Sequence, residues 1–221
     1  VVKNGMPYIK SAIKSFELQD YQDKELIIIY SKSDDGTEEF LNKFYPNISH
    51  FDQNSHNKFG SINLGLNKAS GDIIGLLHAD DFFYNEITLK NISENFDDEV
   101  NCIYGDIMFC NKENINIISR VWKSANYEKL NLRFGWTPPH TSIFIKKNLM
   151  NDIGNYDETF DISSDFDFIL RLFNNEKLKP KKLDNYITVM RTGGDSTNLR
   201  NLLRKFNQDI QISSKYFKQP Y

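Results

Sequence analysis

The chain has 221 residues, of which 39% are hydrophobic and 26% charged, and a net charge of −3. That is enough apolar material for one globular core, and it excludes a disordered polar chain. The near-balanced charge gives no bulk electrostatic reason to bind nucleic acid, and no apolar run approaches the roughly 18 residues of a membrane span.

Val1 and Val2 read as the end of a strand, so residues are expected before them. Residues 7–19 place Ile9, Ala12, Ile13 and Phe16 at helical spacing, with Pro7 suited to a first turn. ELIIIY, residues 25–30, predicts a strand, and SDDGT after it predicts a polar turn from which Thr37 caps a helix to about Phe44. ISHF is a short strand. Residues 61–69 are helical with Gly71 as terminator, and DIIGLL, residues 72–77, is a buried strand. In the second half, NCIYGDIMF and INIISRVW predict a hairpin. TSIFIKK is a strand. SSDFDFILRLFNN is an amphipathic helix with Ser163 or Ser164 as its cap, and KLDNYITVMR is a strand before the loop TGGDS. In the tail, Leu199, Leu202, Leu203, Phe206 and Ile210 lie at helical spacing among Arg200, Arg204 and Lys205. Such a face either packs on the core or lies on a membrane surface.

Near-continuous apolar strands separated by helices predict a parallel sheet covered on both faces, with ligands beyond the carboxyl ends of its strands. No repeat or linker divides the chain, so a single domain is expected. Cys102 and Cys110 lack a CxxC spacing and read as buried free thiols of a cytosolic chain.

Several residues suit chemistry. Asp80 and Asp81 follow the DIIGLL strand and offer hard oxygens to Mg²⁺ or Mn²⁺; they also suit caps or solvated loops, and both readings stay open. His78 is a weaker third ligand. Asp165 and Asp167 open a helix, where a carboxylate caps or, more sharply, serves as a general base. His140 follows Pro138-Pro139 with the same two readings. Gly193 and Gly194 offer backbone donors to a phosphate. There is no GxxxxGK[ST] and no GxGxxG, so the P-loop and dinucleotide readings lack their fingerprint.

In order and at comparable spacing, KNGMPYIKSAIKSFELQDYQDKELIII, SDDGT, NLGLNKASGDIIGLLHADD, HTSIFIKKNLM, IGNYDETF and SSDFDFILRL resemble the family 2 glycosyltransferases over nearly the whole chain. The resemblance implies an inverting enzyme of the α/β GT-A fold: one domain with a mostly parallel twisted sheet flanked by helices. Residues 1–107 would form the nucleotide-sugar half, 108–197 the acceptor half and 198–221 a C-terminal helix. It further implies that Asp80 and Asp81 hold the donor diphosphate through Mn²⁺ or Mg²⁺. Asp165 matches the base, with Asp167 a weaker candidate. Asn63 and Gly65 match a pair beside the nucleotide, Gly193 and Gly194 a loop near donor or acceptor, and His140 the acceptor side. Tyr30, Asp35, Asn63 and Asp80 make the expected donor-binding set.

Two departures stand out. Tyr30 and Ser31 occupy the place of the family's base-contacting acid, and His78 that of the acid or amide opening the metal motif. The expectation is transfer from a nucleotide-diphosphate sugar, UDP first, to a glycan or lipid-linked acceptor of bacterial lipopolysaccharide, capsule or exopolysaccharide. The location would be cytoplasmic, with peripheral contact at the inner face of the membrane. The rival readings are another metal-dependent nucleotidyltransferase and a non-catalytic nucleotide-sugar binder.

Overall fold

The computed structural model describes residues 1–47, 49–52, 57–193 and 199–217. The front half alternates as its apolar periods predict. Helix α1 (Ile9–Glu17) buries Ile9, Ala12 and Ile13, and strand β1 (Ile27–Tyr30) buries Ile28 and Ile29. Helix α2 (Thr37–Phe44) starts after Gly36, whose φ of 86° is one that a side chain rarely tolerates. Strand β2 (Ser49–Asp52) runs parallel to β1. Helix α3 (Lys58–Lys68) begins three residues earlier than its apolar pattern suggests, because Asn57 caps it: Oδ1 accepts from the N–H groups of Phe59 and Gly60 at 3.0 and 2.9 Å. Strand β3 (Ile73–Gly75) then meets Phe144 so closely that a Cβ on Gly75 would sit 2.2 Å from the ring.

Beyond it come β4 (Phe82–Phe83), α4 (Thr88–Glu94), and the expected hairpin of β5 (Cys102–Cys110) with β6 (Ile118–Trp122). Strand β7 (Phe144–Lys146) leads into α5 (Lys147–Ile153). Helix α6 (Ser164–Asn174), strand β8 (Pro180–Arg191) and helix α7 (Leu199–Tyr216) complete the chain. Cys102 and Cys110 are buried free thiols on β5.

The sheet is mixed, which corrects the mostly parallel expectation. Six strands lie in the order β3-β7-β5-β8-β4, with β6 attached to β5; β5–β8 is parallel, and the other pairings are antiparallel. The parallel β1–β2 pair is separate, with Val2 bridged to Tyr30. A buried strand is apolar on both faces whichever way its neighbours run, so pattern alone did not reveal the direction of β7 or β4. DIIGLL is also shorter as a strand than expected. Leu76 and Leu77 leave the sheet, and the Asp80-Asp81 pair lies in the crossing from β3 to β4, immediately before β4 rather than at the carboxyl end of β3.

The main core gathers on α6, which buries Phe168, Ile169, Leu170, Leu172 and Phe173 against residues such as Phe59, Tyr104 and Leu132. Truncating a side chain as enclosed as Phe173 costs roughly 3–5 kcal/mol. Neither serine caps this helix. Ser163 stands at the N-cap without a side-chain bond, and the hydroxyls of Ser163 and Ser164 are buried without a partner among the described residues. The entry to α6 is held from α7 instead. Gln208 Oε1 accepts the N–H groups of Ile162 and Ser163 at 3.2 and 3.0 Å, and Arg204 pairs with Asp161 at 2.5 Å. The tail helix therefore braces the start of α6, an arrangement its apolar stripe did not reveal.

Candidate active site

Two groups of side chains meet beside this frame. The first is the turn between β3 and β4. The N–H of Asp81 donates to the carbonyl of His78 at 3.1 Å, closing the turn that carries Ala79 and Asp80. Asp81 is only 1% exposed, and its Oδ1 accepts the backbone N–H of Arg191, at the end of β8, at 3.0 Å. The Arg191 guanidinium donates to the carbonyl of Asp80 and, at 3.0 Å, to Ser11 Oγ. Oδ2 of Asp81 and Nε of Arg191 are buried without partners among the described residues. Burial and then the neighbouring Asp80 carboxylate push the Asp81 carboxyl up to about 8. Arg191 was missed from sequence because it stands 110 residues from Asp81.

These residues fit a divalent cation of a particular kind. Among the described residues no cluster of three or more His, Cys, Asp or Glu forms a complete cage. Mg²⁺ and Mn²⁺ are commonly held by one or two carboxylates together with substrate phosphates. An acid pair with one buried oxygen unsatisfied, and with a carboxyl whose ionisation is opposed, has the electrostatic deficit such an ion fills. Asp80 is the half-exposed member and Asp81 the buried one.

The second group lies at the N-terminus of α6. Asp165 is partly exposed at 31%, and its Oδ1 accepts the N–H of Phe166 at 2.9 Å. Its Oδ2 lies 3.6 Å from Nδ1 of His140, and Nε2 of His140 lies 2.7 Å from Nε2 of His78. Burial lowers the proton affinity of both imidazoles, that of His78 well below its ordinary value; the Asp165 carboxylate partly offsets the effect at His140. The acid-pair turn and the start of α6 are thus joined by two side-chain contacts.

The other expected site residues sit in structural roles that sequence did not show. Asp167 is buried, with Oδ2 accepting from Arg171 Nε at 2.8 Å and Oδ1 from the Tyr216 hydroxyl at 2.9 Å. Arg171 in turn donates to the carbonyls of Ile153, Gly154 and Asn155. The Asn63 amide is committed to the backbone of Tyr156, donating at 3.0 Å and accepting at 2.8 Å, and to Glu158 Oε1 at 3.0 Å. Asp35 accepts from Met6 N–H at 2.7 Å and from Thr37 N–H and Oγ1 at 3.0 and 2.6 Å, so it, rather than Thr37 alone, fixes the start of α2. Desolvation opposes ionisation of Asp35, but these bonds outweigh it and hold the carboxyl below its usual value. The Tyr30 ring packs partly against the cluster of Val2, Ile28 and Leu41. Gly193 has a φ of 102° beside Lys112; Gly194 lies outside the described residues.

Comparison with known proteins finds glycosyltransferases. The chain is 27% identical over 182 residues to a PGL/p-HBAD biosynthesis glycosyltransferase of Mycobacterium bovis, covering 79% of this chain and 68% of that protein. It is 30% identical over 138 residues to an uncharacterized glycosyltransferase of Haemophilus influenzae, covering 61% of this chain and 55% of the relative. Among solved structures, residues 1–349 of S. aureus TarS in complex with UDP-GlcNAc superpose with a TM-score of 0.73 at 18% identity, covering 96% of this chain and 63% of that chain. A mannosyltransferase of Pyrobaculum calidifontis in complex with GDP-Man and Mn²⁺ gives 0.66 at 15% identity, covering all of this chain and 63% of the other. The chain thus spans less than two thirds of those solved chains, and its GT-A architecture is theirs. A profile described as Glycosyl transferase family 2 matches residues 1–154, and with the acid-pair turn inside that match the chain belongs to glycosyl transferase family 2.

Proposed function

We propose that the chain transfers a sugar from a nucleoside-diphosphate sugar to an acceptor hydroxyl with inversion, using Asp165 as general base. The observation that carries this reading is the side-chain path from Asp165 through His140 to His78, which puts a partly exposed carboxylate beside the acid-pair turn. An acceptor hydroxyl is a poor nucleophile at neutral pH, and a carboxylate within reach removes its proton as it attacks. Asp80 and Asp81 would hold Mn²⁺ or Mg²⁺ with the donor diphosphate; when bound, the ion neutralises charge developing on the leaving nucleotide. Arg191 keeps the acid pair in place through the backbone of Asp80 and the carboxylate of Asp81.

UDP-sugars are the first donor class to test, supported by the TarS complex; the GDP-Man complex marks the alternative. Tyr30 would edge the nucleobase at the end of β1, and Gly193 would lie near donor or acceptor. His140 stands on the acceptor side of the base. The acceptor would be a glycan or lipid-linked oligosaccharide of bacterial surface polysaccharide synthesis, met through peripheral contact of α7 with the membrane. Among the described residues no helix is long and apolar enough to cross one.

A thermal-shift panel of UDP-, GDP- and dTDP-sugars with and without Mn²⁺ tests the donor reading, because a ligand of the native state raises the melting temperature. One donor should stabilise the chain only with the metal, and Asp81→Ala should abolish that increment while the apo protein still melts cooperatively. An increment that survives in Asp81→Ala would remove the metal assignment. Donor-dependent stabilisation without nucleotide release on adding any acceptor would instead favour a binding module.

A further inference from the structure

The contact between two imidazoles at 2.7 Å imposes a condition on protons. Two Nε2 atoms that close need one hydrogen between them, because two lone pairs repel and two N–H groups clash. Either His78 donates to His140, or His140 donates to His78. A neutral histidine carries one N–H, so the choice at Nε2 fixes the other nitrogen. If His140 donates from Nε2, its bare Nδ1 lone pair faces Oδ2 of Asp165 at 3.6 Å, and two electron-rich atoms oppose each other. If His78 donates, His140 carries its hydrogen on Nδ1 and directs it at the carboxylate. Of the two neutral arrangements, only the second directs a hydrogen at the Asp165 carboxylate.

We infer that His78 is a positioning residue: it donates from Nε2 to His140, holds His140 as the Nδ1–H tautomer, and thereby orients the Asp165 carboxylate. The inference rests on Asp165 being the base of the proposed transfer. It commits Nε2 of His78 to His140 and leaves only Nδ1 for any other partner. It also accounts for why one residue serves both ends of the site. The His78 carbonyl closes the acid-pair turn on Asp81 N–H, while its side chain reaches towards α6. A 3.6 Å separation between His140 and Asp165 is longer than a made hydrogen bond. Such contacts commonly tighten only when substrate closes the site.

The test uses the whole chain and two readouts. Long-range ¹H–¹⁵N correlation spectra of the ¹⁵N-histidine protein separate the two tautomers. The expected result is His140 as Nδ1–H and His78 as Nε2–H, with the His140 preference lost in His78→Leu. In transfer assays His78→Leu should lower kcat by roughly tenfold to a hundredfold, the range a misoriented catalytic group produces, with donor KM nearly unchanged. His78→Gln places an amide N–H at similar reach and should restore most of kcat. A wild-type His140 in the Nε2–H form would overturn the assignment. So would a His78→Leu defect confined to donor KM, or a glutamine that rescues nothing. If His78→Leu does not fold, the wild-type spectrum and His78→Gln decide. If no donor is transferred at all, the proposed function fails, while the tautomer map still accepts or rejects the hydrogen-bond chain.

Discussion

Asp81 and Asp167 are both buried aspartates beside an arginine, and the two places treat them oppositely. At the start of α6, each carboxylate oxygen of Asp167 has its donor: Arg171 on Oδ2 and the Tyr216 hydroxyl on Oδ1. In the turn after β3, Asp81 has the N–H of Arg191 on one oxygen and, among the described residues, nothing on the other, while the Arg191 guanidinium is turned to the Asp80 carbonyl. A buried carboxylate without full pairing is costly, and proteins keep such a group where a ligand completes it. A carboxylate with every acceptor used is bonded into the frame. Satisfaction, rather than burial or charge, separates the two. It also separates Asp167 from Asp165, two positions earlier on the same helix, which remains partly exposed and faces His140.

The sharpest way to break this contrast is to neutralise the two helix acids separately. Asp165→Asn keeps an oxygen for the N–H of Phe166, so stability should change by less than about 1 kcal/mol. The amide cannot take the acceptor's proton, and transfer should fall by at least about a hundredfold. Nucleotide release against acceptor concentration measures this, and a variant transferring at near wild-type rate would reduce Asp165 to a cap.

Asp167→Asn should show the reverse emphasis. It leaves Arg171 with three backbone carbonyls but no carboxylate, and removes a charge paired in the interior. Loss of one member of a buried pair costs about 3–5 kcal/mol. The lower end is expected here, because Arg171 keeps those carbonyls and 22% of its side-chain surface. Urea unfolding gives the number. At a temperature where the variant is folded, kcat should stay closer to wild type than in Asp165→Asn. A stable but inactive Asp167→Asn would make Asp167 the better candidate for the base.

What the sequence disclosed follows from distance along the chain. Periodicity located α1, β1, α2 and the β5–β6 hairpin, because their signals are local. Residue chemistry raised Asp80, Asp81, Asp165 and His140 as candidates, and the resemblance gave each a role. The partners that give these residues meaning lie far off. Arg191 is 110 residues from Asp81, Tyr156 is 93 from Asn63 and His140 is 62 from His78. Asn63 was expected at the nucleotide because its motif lies beside a nucleotide in the family, and only the folded chain shows its amide engaged by Tyr156. The Asp167–Arg171 pair did have a local sign, the i, i+4 spacing, but the Tyr216 hydroxyl that completes it comes from a different helix.

The smallest effects should come from the exposed half of α7, a helix in which the same contrast runs from one half to the other. Its second half is anchored: Ile212 is fully buried, and Tyr216 holds Asp167. Its first half leaves Leu202, Leu203 and Phe206 at 53%, 74% and 61% exposure. The apolar stripe that read as either a core face or a membrane-surface face is exposed at Leu202, Leu203, Phe206 and Ile210, and the core contacts come from residues outside it. Ile212→Ala removes packed atoms and should cost about 2–5 kcal/mol, and through the brace on α6 it should also lower kcat. Leu203→Ser and Phe206→Ser touch little of the core and should change stability by less than about 0.5 kcal/mol. If this exposed half meets a membrane surface, its apolar area and the nearby Lys205 and Arg204 supply the attraction. Both cations already have intramolecular partners, Asp209 and Asp161, so the apolar residues should dominate. Flotation with anionic vesicles then gives an ordered outcome: wild type binds, Leu203→Ser with Phe206→Ser binds less, and raising salt weakens binding only in part. Vesicles that float without the protein at low salt would leave α7 with its bracing role alone.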